Sequence, residues 1–266
     1  MRLLRGGLAC LLLAATATAH AEEATDSLRR VAAAEAGVKA AAQFQLLQQP
    51  ELDPATVAGV LPRLIEEPGA WQVAVWWLGE VGDTACRWLP RAQDQMPPDA
   101  ASQLAAAISL ARCGELGSLR QRLASRDPVV RAKAAVTLGL LGDRDSLAEV
   151  RRAEGLPDSA HGLFFGLARC LLGDASAAEL VPALRRVPAM RVFSELASAR
   201  LGGSWSADAV VAAVRPGGDT LLAEAAARLV LAECGPRSGD VLALLASSPS
   251  PRLRRLGVTP CSAAPR

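Results

Sequence analysis

Few residues in this 266-residue chain are equipped for chemistry, and those that are belong to three types: cysteine, tryptophan and arginine. His161 is the one histidine beyond the first 21 residues, so imidazole metal sites and histidine-assisted nucleophiles lack material. There is no Cys-x-x-Cys pair, no covalent haem motif and no Gly-x-x-x-x-Gly-Lys phosphate loop. The adjacent carboxylates Glu66 and Glu67 precede Pro68 and fit a solvated turn at a helix end. No catalytic constellation, metal site or cofactor site is expected.

The remaining candidates suit binding and crosslinking. Trp71, Trp76 and Trp77 fall within one helical run, and tryptophan is enriched where interfaces carry most of their energy. Adjacent helical residues point about 100° apart, so Trp76 and Trp77 are not expected to be equally buried in one narrow seam. Burial of both against the N-terminal helices is the alternative. Arginines recur toward the ends of a second set of helices: Arg120 and Arg122, Arg151 and Arg152, Arg185 and Arg186, then Arg215. Stacked regularly, they form a basic edge for an acidic partner. The simpler reading is a cation placed at each helix C-terminus.

The elements carrying these residues are marked by glycine. Apolar helix-forming runs end at Gly82, Gly114, Gly142, Gly173, Gly202 and Gly235, in steps of 32, 28, 31, 29 and 33 residues. A period near thirty fits two short antiparallel helices and two turns, a unit that buries its apolar face only against its neighbours. Abundant Ala, Leu and Val, no tyrosine and few other aromatics fit closely apposed helices better than a sandwich of strands. Three positions before each stop stands a small residue, Gly79, Ala111, Gly139, Cys170, Ala199 or Ala232, which lets neighbouring helices approach. The expected architecture is all-α: a right-handed α-solenoid of stacked helical hairpins.

In Asp127-Pro128-Val129-Val130-Arg131-Ala132-Lys133-Ala134-Ala135-Val136-Thr137-Leu138-Gly139-Leu140-Leu141-Gly142-Asp143 the chain resembles the short bacterial HEAT repeat, of the kind seen in phycobilisome-lyase-like HEAT proteins. Pro188-Ala189-Met190-Arg191 and Pro251-Arg252-Leu253-Arg254 repeat its opening. The resemblance implies an armadillo-like helical interaction scaffold, and it implies that Arg131, Arg191 and Arg254 bond across repeats. Independently of it, Asp127 can cap its helix, Pro128 fits the first turn, and Val130, Ala134, Leu138 and Leu141 share one face.

The first 21 residues read as a secretory signal. Arg2 and Arg5 precede the apolar stretch from Leu8 to Ala15, and Ala19-His20-Ala21 offers a small-residue cleavage site after Ala21. The stretch is far short of the ~20 residues that span a bilayer, and Cys10 lies inside the apolar core rather than at a lipidation site. Removing Arg2 and Arg5 from 29 basic residues leaves 27 against 27 acidic ones, a net charge of zero with no bias toward nucleic acid. The expected organisation is a signal at 1–21, a solenoid at 22–257 with capping helices over 24–68 and repeats over about 69–257, and a flexible tail at 258–266. A single long helical stretch is expected from Ala24 to Gln48, with Leu28, Val31, Val38, Ala42 and Leu46 near one face.

Export permits disulfides among the five cysteines beyond the signal, and an odd number leaves one thiol unpaired within the chain. Hairpin geometry makes Cys86 with Cys113 one candidate pair and Cys234 with Cys261 another, Cys170 being the buried remainder. The competing reading makes all five small core hydrophobes. Together these features predict a periplasmic or secreted, non-catalytic scaffold that binds a protein or peptide partner. Alternatives are a lyase-like or chaperone-like accessory holding a cofactor or client, and a structural spacer in an envelope assembly.

Overall fold

The computed structural model describes residues 3–50, 52–156, 161–215 and 218–258. Among them every regular element is helical, so the fold class is all-α. The chain divides into two compact units, Met1–Ser109 and Leu110–Arg266.

The first unit contains α1 (Leu3–Ala32), α2 (Ala36–Leu46), α3 (Pro54–Val60), α4 (Pro68–Val81), α5 (Leu89–Asp94) and most of α6 (Ala100–Arg112). Asp53 accepts hydrogen bonds from Ala55 N and Thr56 N at the start of α3, with Pro54 in the first turn. Leu28, Leu46, Leu61, Leu64, Trp71, Leu78 and Leu89 are fully buried. The stretch from Ala24 to Gln48 is not one helix: α1 ends at Ala32 and α2 begins at Ala36. Leu28, Val31 and Leu46 are buried as their spacing predicts, but the break turns Val38 outward, where it is 56% exposed. Arg29 clamps α1 to the start of α4, donating through Nε and Nη2 to the two carboxylate oxygens of Glu67 at 2.8 and 2.6 Å. Glu67 is thus part of a helix junction.

The second unit continues with α7 (Gly117–Gln121), α8 (Pro128–Leu141), α9 (Leu147–Glu154), α10 (Gly162–Leu171), α11 (Val181–Arg185), α12 (Arg191–Arg200), α13 (Ala207–Ala213), α14 (Thr220–Glu233), α15 (Ser238–Ala246) and α16 (Pro251–Leu256). The longer even-numbered helices from α8 to α14 alternate with short odd-numbered ones, several preceded by a 3₁₀ turn. The even-numbered helices pack in sequence, α8 on α10, α10 on α12 and α12 on α14, and α14 also returns to α8. The four inner helices of this unit therefore close on one another.

Five expected stops take a positive φ, between 67° and 95°, at Gly82, Gly114, Gly142, Gly173 and Gly202; Gly82, with ψ of −161°, lies outside the left-handed helical region. After four of them the next residue donates its N–H to the carbonyl five positions back: Glu115 to Leu110, Asp143 to Leu138, Asp174 to Arg169 and Gly203 to Ser198. The sixth stop lies elsewhere. Cys234, with φ of 48°, takes the left-handed cap of α14, and Gly235 does not.

Small residues set the helix spacing at two places. A Cβ on Gly79 would lie 2.9 Å from Ser109 Cβ, and one on Gly139 would lie 2.8 Å from Leu171 Cβ. Both distances are too short for a side chain, so α4 with α6, and α8 with α10, owe their close approach to glycine. The equivalent Ala232 is exposed, and there the slot carries no packing.

Candidate functional site

The arginines singled out from the sequence divide into two groups. In the first, each guanidinium reaches forward to a carboxylate of the next repeat. Arg120, at the end of α7, donates through Nε and Nη2 to both oxygens of Asp143 at 2.8 and 2.6 Å, and Ser146 also bonds that carboxylate. One repeat later Arg151, on α9, donates to Asp174 at 3.0 and 2.8 Å. Arg120 with Asp143 and Arg151 with Asp174 are both 23 residues apart. Asp143 and Asp174 each follow a stop glycine, so the glycine that ends an inner helix also presents the acid that ties the repeats.

Arg169 strengthens the second tie, bonding Asp174 at 2.8 Å and Glu154 at 3.0 Å. The hydrogen bonds from Arg151, with those from Ser176 and Arg169, hold the Asp174 carboxyl far below the usual carboxylate range. Burial pushes the Asp143 carboxyl up, but the bonds from Arg120 and Ser146 outweigh it and the net shift is downward. The third repeat has no acid after its stop, since Gly203 follows Gly202. Glu195, on α12, takes over, accepting from Arg185 at 3.1 and 3.2 Å and from Ser206 N at 2.8 Å.

In the second group are Arg152, Arg186 and Arg215, which stand exposed with no carboxylate partner among the described residues. Arg122 is half-buried. Arg152 lines a surface groove of about 440 Å³ between the ends of α7 and α9, together with Arg120, Glu149, Leu123, Ala153 and Leu156. Leu156 is 37% exposed there. The arginine row is therefore not uniformly available to a partner.

For the tryptophans the structure follows the core alternative, with Trp76 and Trp77 unequally buried. Trp71 is 0% and Trp77 3% exposed, so both are core residues of the first unit, and Trp76 is half-buried. Helix α4 packs against α1, α3, α5 and the 3₁₀ turn Asp83–Trp88, so Trp77 is fully covered while Trp76, about 100° away, is covered only in part. Arg131 and Arg254 donate to carbonyls of the turn before their own helices, Arg131 to Ser125 O and Arg126 O, and Arg254 to Ser248 O and Pro249 O. They lock a local turn, a role the resemblance did not imply. Arg191 is exposed.

Cys86, Cys113 and Cys234 are disulfide-bonded, and Cys170 is a buried free thiol. Cys261 lies outside the described residues, as does the tail from 259 onward. Burial pushes the Cys170 thiol up to about 11, and its Sγ donates to Ala177 O, so it is chemically quiet. His161 sits at the start of α10 with its ring edge-on to Phe164. Among the described residues no cluster of three or more His, Cys, Asp or Glu side chains could hold a metal, and no helix is long and apolar enough to cross a membrane.

A polar centre that sequence reasoning missed lies inside the second unit. Glu224, on α14 and 3% exposed, is shared by three arginines: Arg112 at 3.5 Å, Arg228 at 2.8 Å and Arg252 at 2.9 Å. Burial alone would raise its carboxyl, but Arg252, Arg112 and Arg228 hold it below the ordinary value. Arg112 also donates to Thr220 Oγ1, and Arg252 to Arg112 O. Arg228 lies four residues from Glu224 on the same helix, but Arg112 and Arg252 lie 112 and 28 residues away, so no local spacing announces the shared centre. A cavity of about 340 Å³ opens beside it, walled by Leu140, Leu141, Leu221 and Ala225. Comparison with protein-family models, curated proteins and solved structures finds no match to this chain.

Proposed function

We propose that this chain is an exported, non-catalytic HEAT-like solenoid that binds a protein or peptide partner through its outer helices. The observation that carries the reading is the division of labour among paired arginines. In Arg151-Arg152 and Arg185-Arg186 the first member is fixed to a carboxylate of its own chain, while the second is exposed and unpaired. A framework stiffened by the first presents the second at repeating intervals. Beside Arg152 the groove with Leu123, Ala153 and Leu156 offers apolar surface, and this combination suits an acidic segment carrying an apolar side chain. The glycine-ended helix pairs and the HEAT-like run from Asp127 to Asp143 support the solenoid reading.

Export is supported by where packing begins on α1. Thr18, Ala19 and His20 are exposed, whereas Ala24, Leu28 and Val31 are buried, so burial on α1 begins beyond Ala21; a side-chain hydrogen bond from Thr25 Oγ1 to Ala21 O crosses that point. The test is affinity capture and crosslinking from the native host with the wild-type chain and an Arg152→Glu, Arg186→Glu variant. Loss of a specific partner at unchanged melting temperature supports the reading; equal recovery by both chains removes the outer helices as the site. Sequencing the N-terminus of the exported chain should find Glu22.

A further inference from the structure

At the C-terminal ends of the inner helices of the second unit, two guanidiniums occupy space that the stop glycines leave open. A Cβ on Gly142 would lie 3.5 Å from Arg200 Nη2, and one on Gly173 would lie 3.9 Å from Arg144 Nη2. Neither Arg144 nor Arg200 has an acceptor or a carboxylate among the described residues. Arg200 is half-buried, and burial, with the nearby charges of Arg144 and Arg228, depresses its pKa.

Helix dipoles favour a cation at each of these ends but do not explain two guanidiniums left without a carboxylate. Arg200 is the last residue of α12, and its side chain reaches the end of α8 over Gly142. Arg144, exposed at the start of the 3₁₀ turn Arg144–Ser146, reaches over Gly173 at the end of α10. Nearby acids do not serve the pair. Asp143 is bonded by Arg120, and Glu224 is already divided among three arginines. Gly142 and Arg228 line the 340 Å³ cavity; Arg200 adjoins it over Gly142, and Arg144 lies beyond its wall, over Gly173.

We infer that this cleft binds an oxyanion, a carboxylate or phosphate group carried on a small apolar body. Arg200 and Arg144 grip the anion with forked N–H donors, which match either group, and Arg228 adds charge from α14. Leu140, Leu141 and Leu221 receive the apolar body. The cluster is mutually repulsive when empty, and a bound anion relieves that repulsion, so ligand affinity and folded-state stability are opposed at Arg200.

The experiment is calorimetric titration and thermal denaturation of the exported chain in dilute chloride buffer, with inorganic phosphate, octyl phosphate and octanoate as probes. Saturable binding that weakens with salt and raises the melting temperature is expected from at least one probe. Octanoate binding without octyl phosphate binding assigns a carboxylate, and the reverse assigns a phosphate. Arg200→Gln should weaken binding roughly tenfold or more, yet raise the melting temperature of the anion-free protein by a few degrees. Arg91→Gln, at an exposed arginine of the first unit, should change neither. The inference is overturned if no probe binds, if Arg200→Gln binds as tightly as wild type, or if that variant melts lower than wild type, since Arg200 is then a structural residue.

Discussion

Two sets of arginines stand near the same glycine stops and do opposite things. Arg120 and Arg151 reach acids placed immediately after Gly142 and Gly173 and fasten successive repeats. Arg144 and Arg200 lie over those same glycines with no acid to meet. The residue type and the backbone feature are shared, so the difference is the supply of carboxylate. A guanidinium becomes structural where the next repeat brings an acid to it, and it stays available for an outside anion where none arrives.

The comparison depends on the spacing of α8 and α10, and Gly139→Val is the change that breaks it outright. With a Cβ at 2.8 Å from Leu171 Cβ and backbone also close, the helices must separate; a loss of about 3 kcal/mol in denaturant unfolding is expected, with a lowered slope if the unit loosens. Next in size, Asp174→Ala turns a paired stop into an unpaired one. It strands Arg151, leaves Arg169 with Glu154 and Ser176 only, and removes the Ser176 N–H acceptor, and should destabilise by about 2 kcal/mol. Acid sharpens the same point. Asp143 and Asp174 have depressed folded-state pKa values, so their stabilisation is complete above about pH 4 and fades as pH falls through those lower values. Wild type should lose melting temperature steadily below pH 4, and Asp174→Asn should show a shallower decline from a lower start. Arg120→Gln, which leaves Asp143 with Ser146 alone, is expected to lose about 1 kcal/mol. Arg144→Gln comes last: with no partner to lose, its stability should stay within about 0.5 kcal/mol of wild type.

The sequence exposes the stops because a left-handed residue at a helix end selects glycine for a steric reason. That same logic fails at α14, where Cys234 adopts the conformation and Gly235 only follows it. The Asp53 and Asp127 caps are legible for a similar reason, since capping is decided within four residues. The tryptophans are legible in part: helical geometry gives the unequal burial of Trp76 and Trp77, but the full burial of Trp71 and Trp77 depends on how many neighbours α4 has, and a helical wheel shows one helix at a time. The arginine row is visible as a row, but which arginines are occupied is set by acids up to 23 residues away and by the substitution of Glu195 where Gly203 stands in place of an aspartate. The shared Glu224 centre is further out of reach, because it exists only once α14 and α16 have come to Arg112 at the end of α6.

That closure has a consequence for how the chain matures. Arg252 donates to the carbonyl of Arg112 across 140 residues, and both meet at Glu224. A chain delivered N-terminus first can form each neighbouring helix pair as it emerges, but it cannot complete this centre until α16 has arrived. A copy truncated before Pro251 loses Arg252 from the interior and leaves Glu224 and the Arg112 carbonyl each short of a partner, so the defect is felt far from the cut end, at the close of α6.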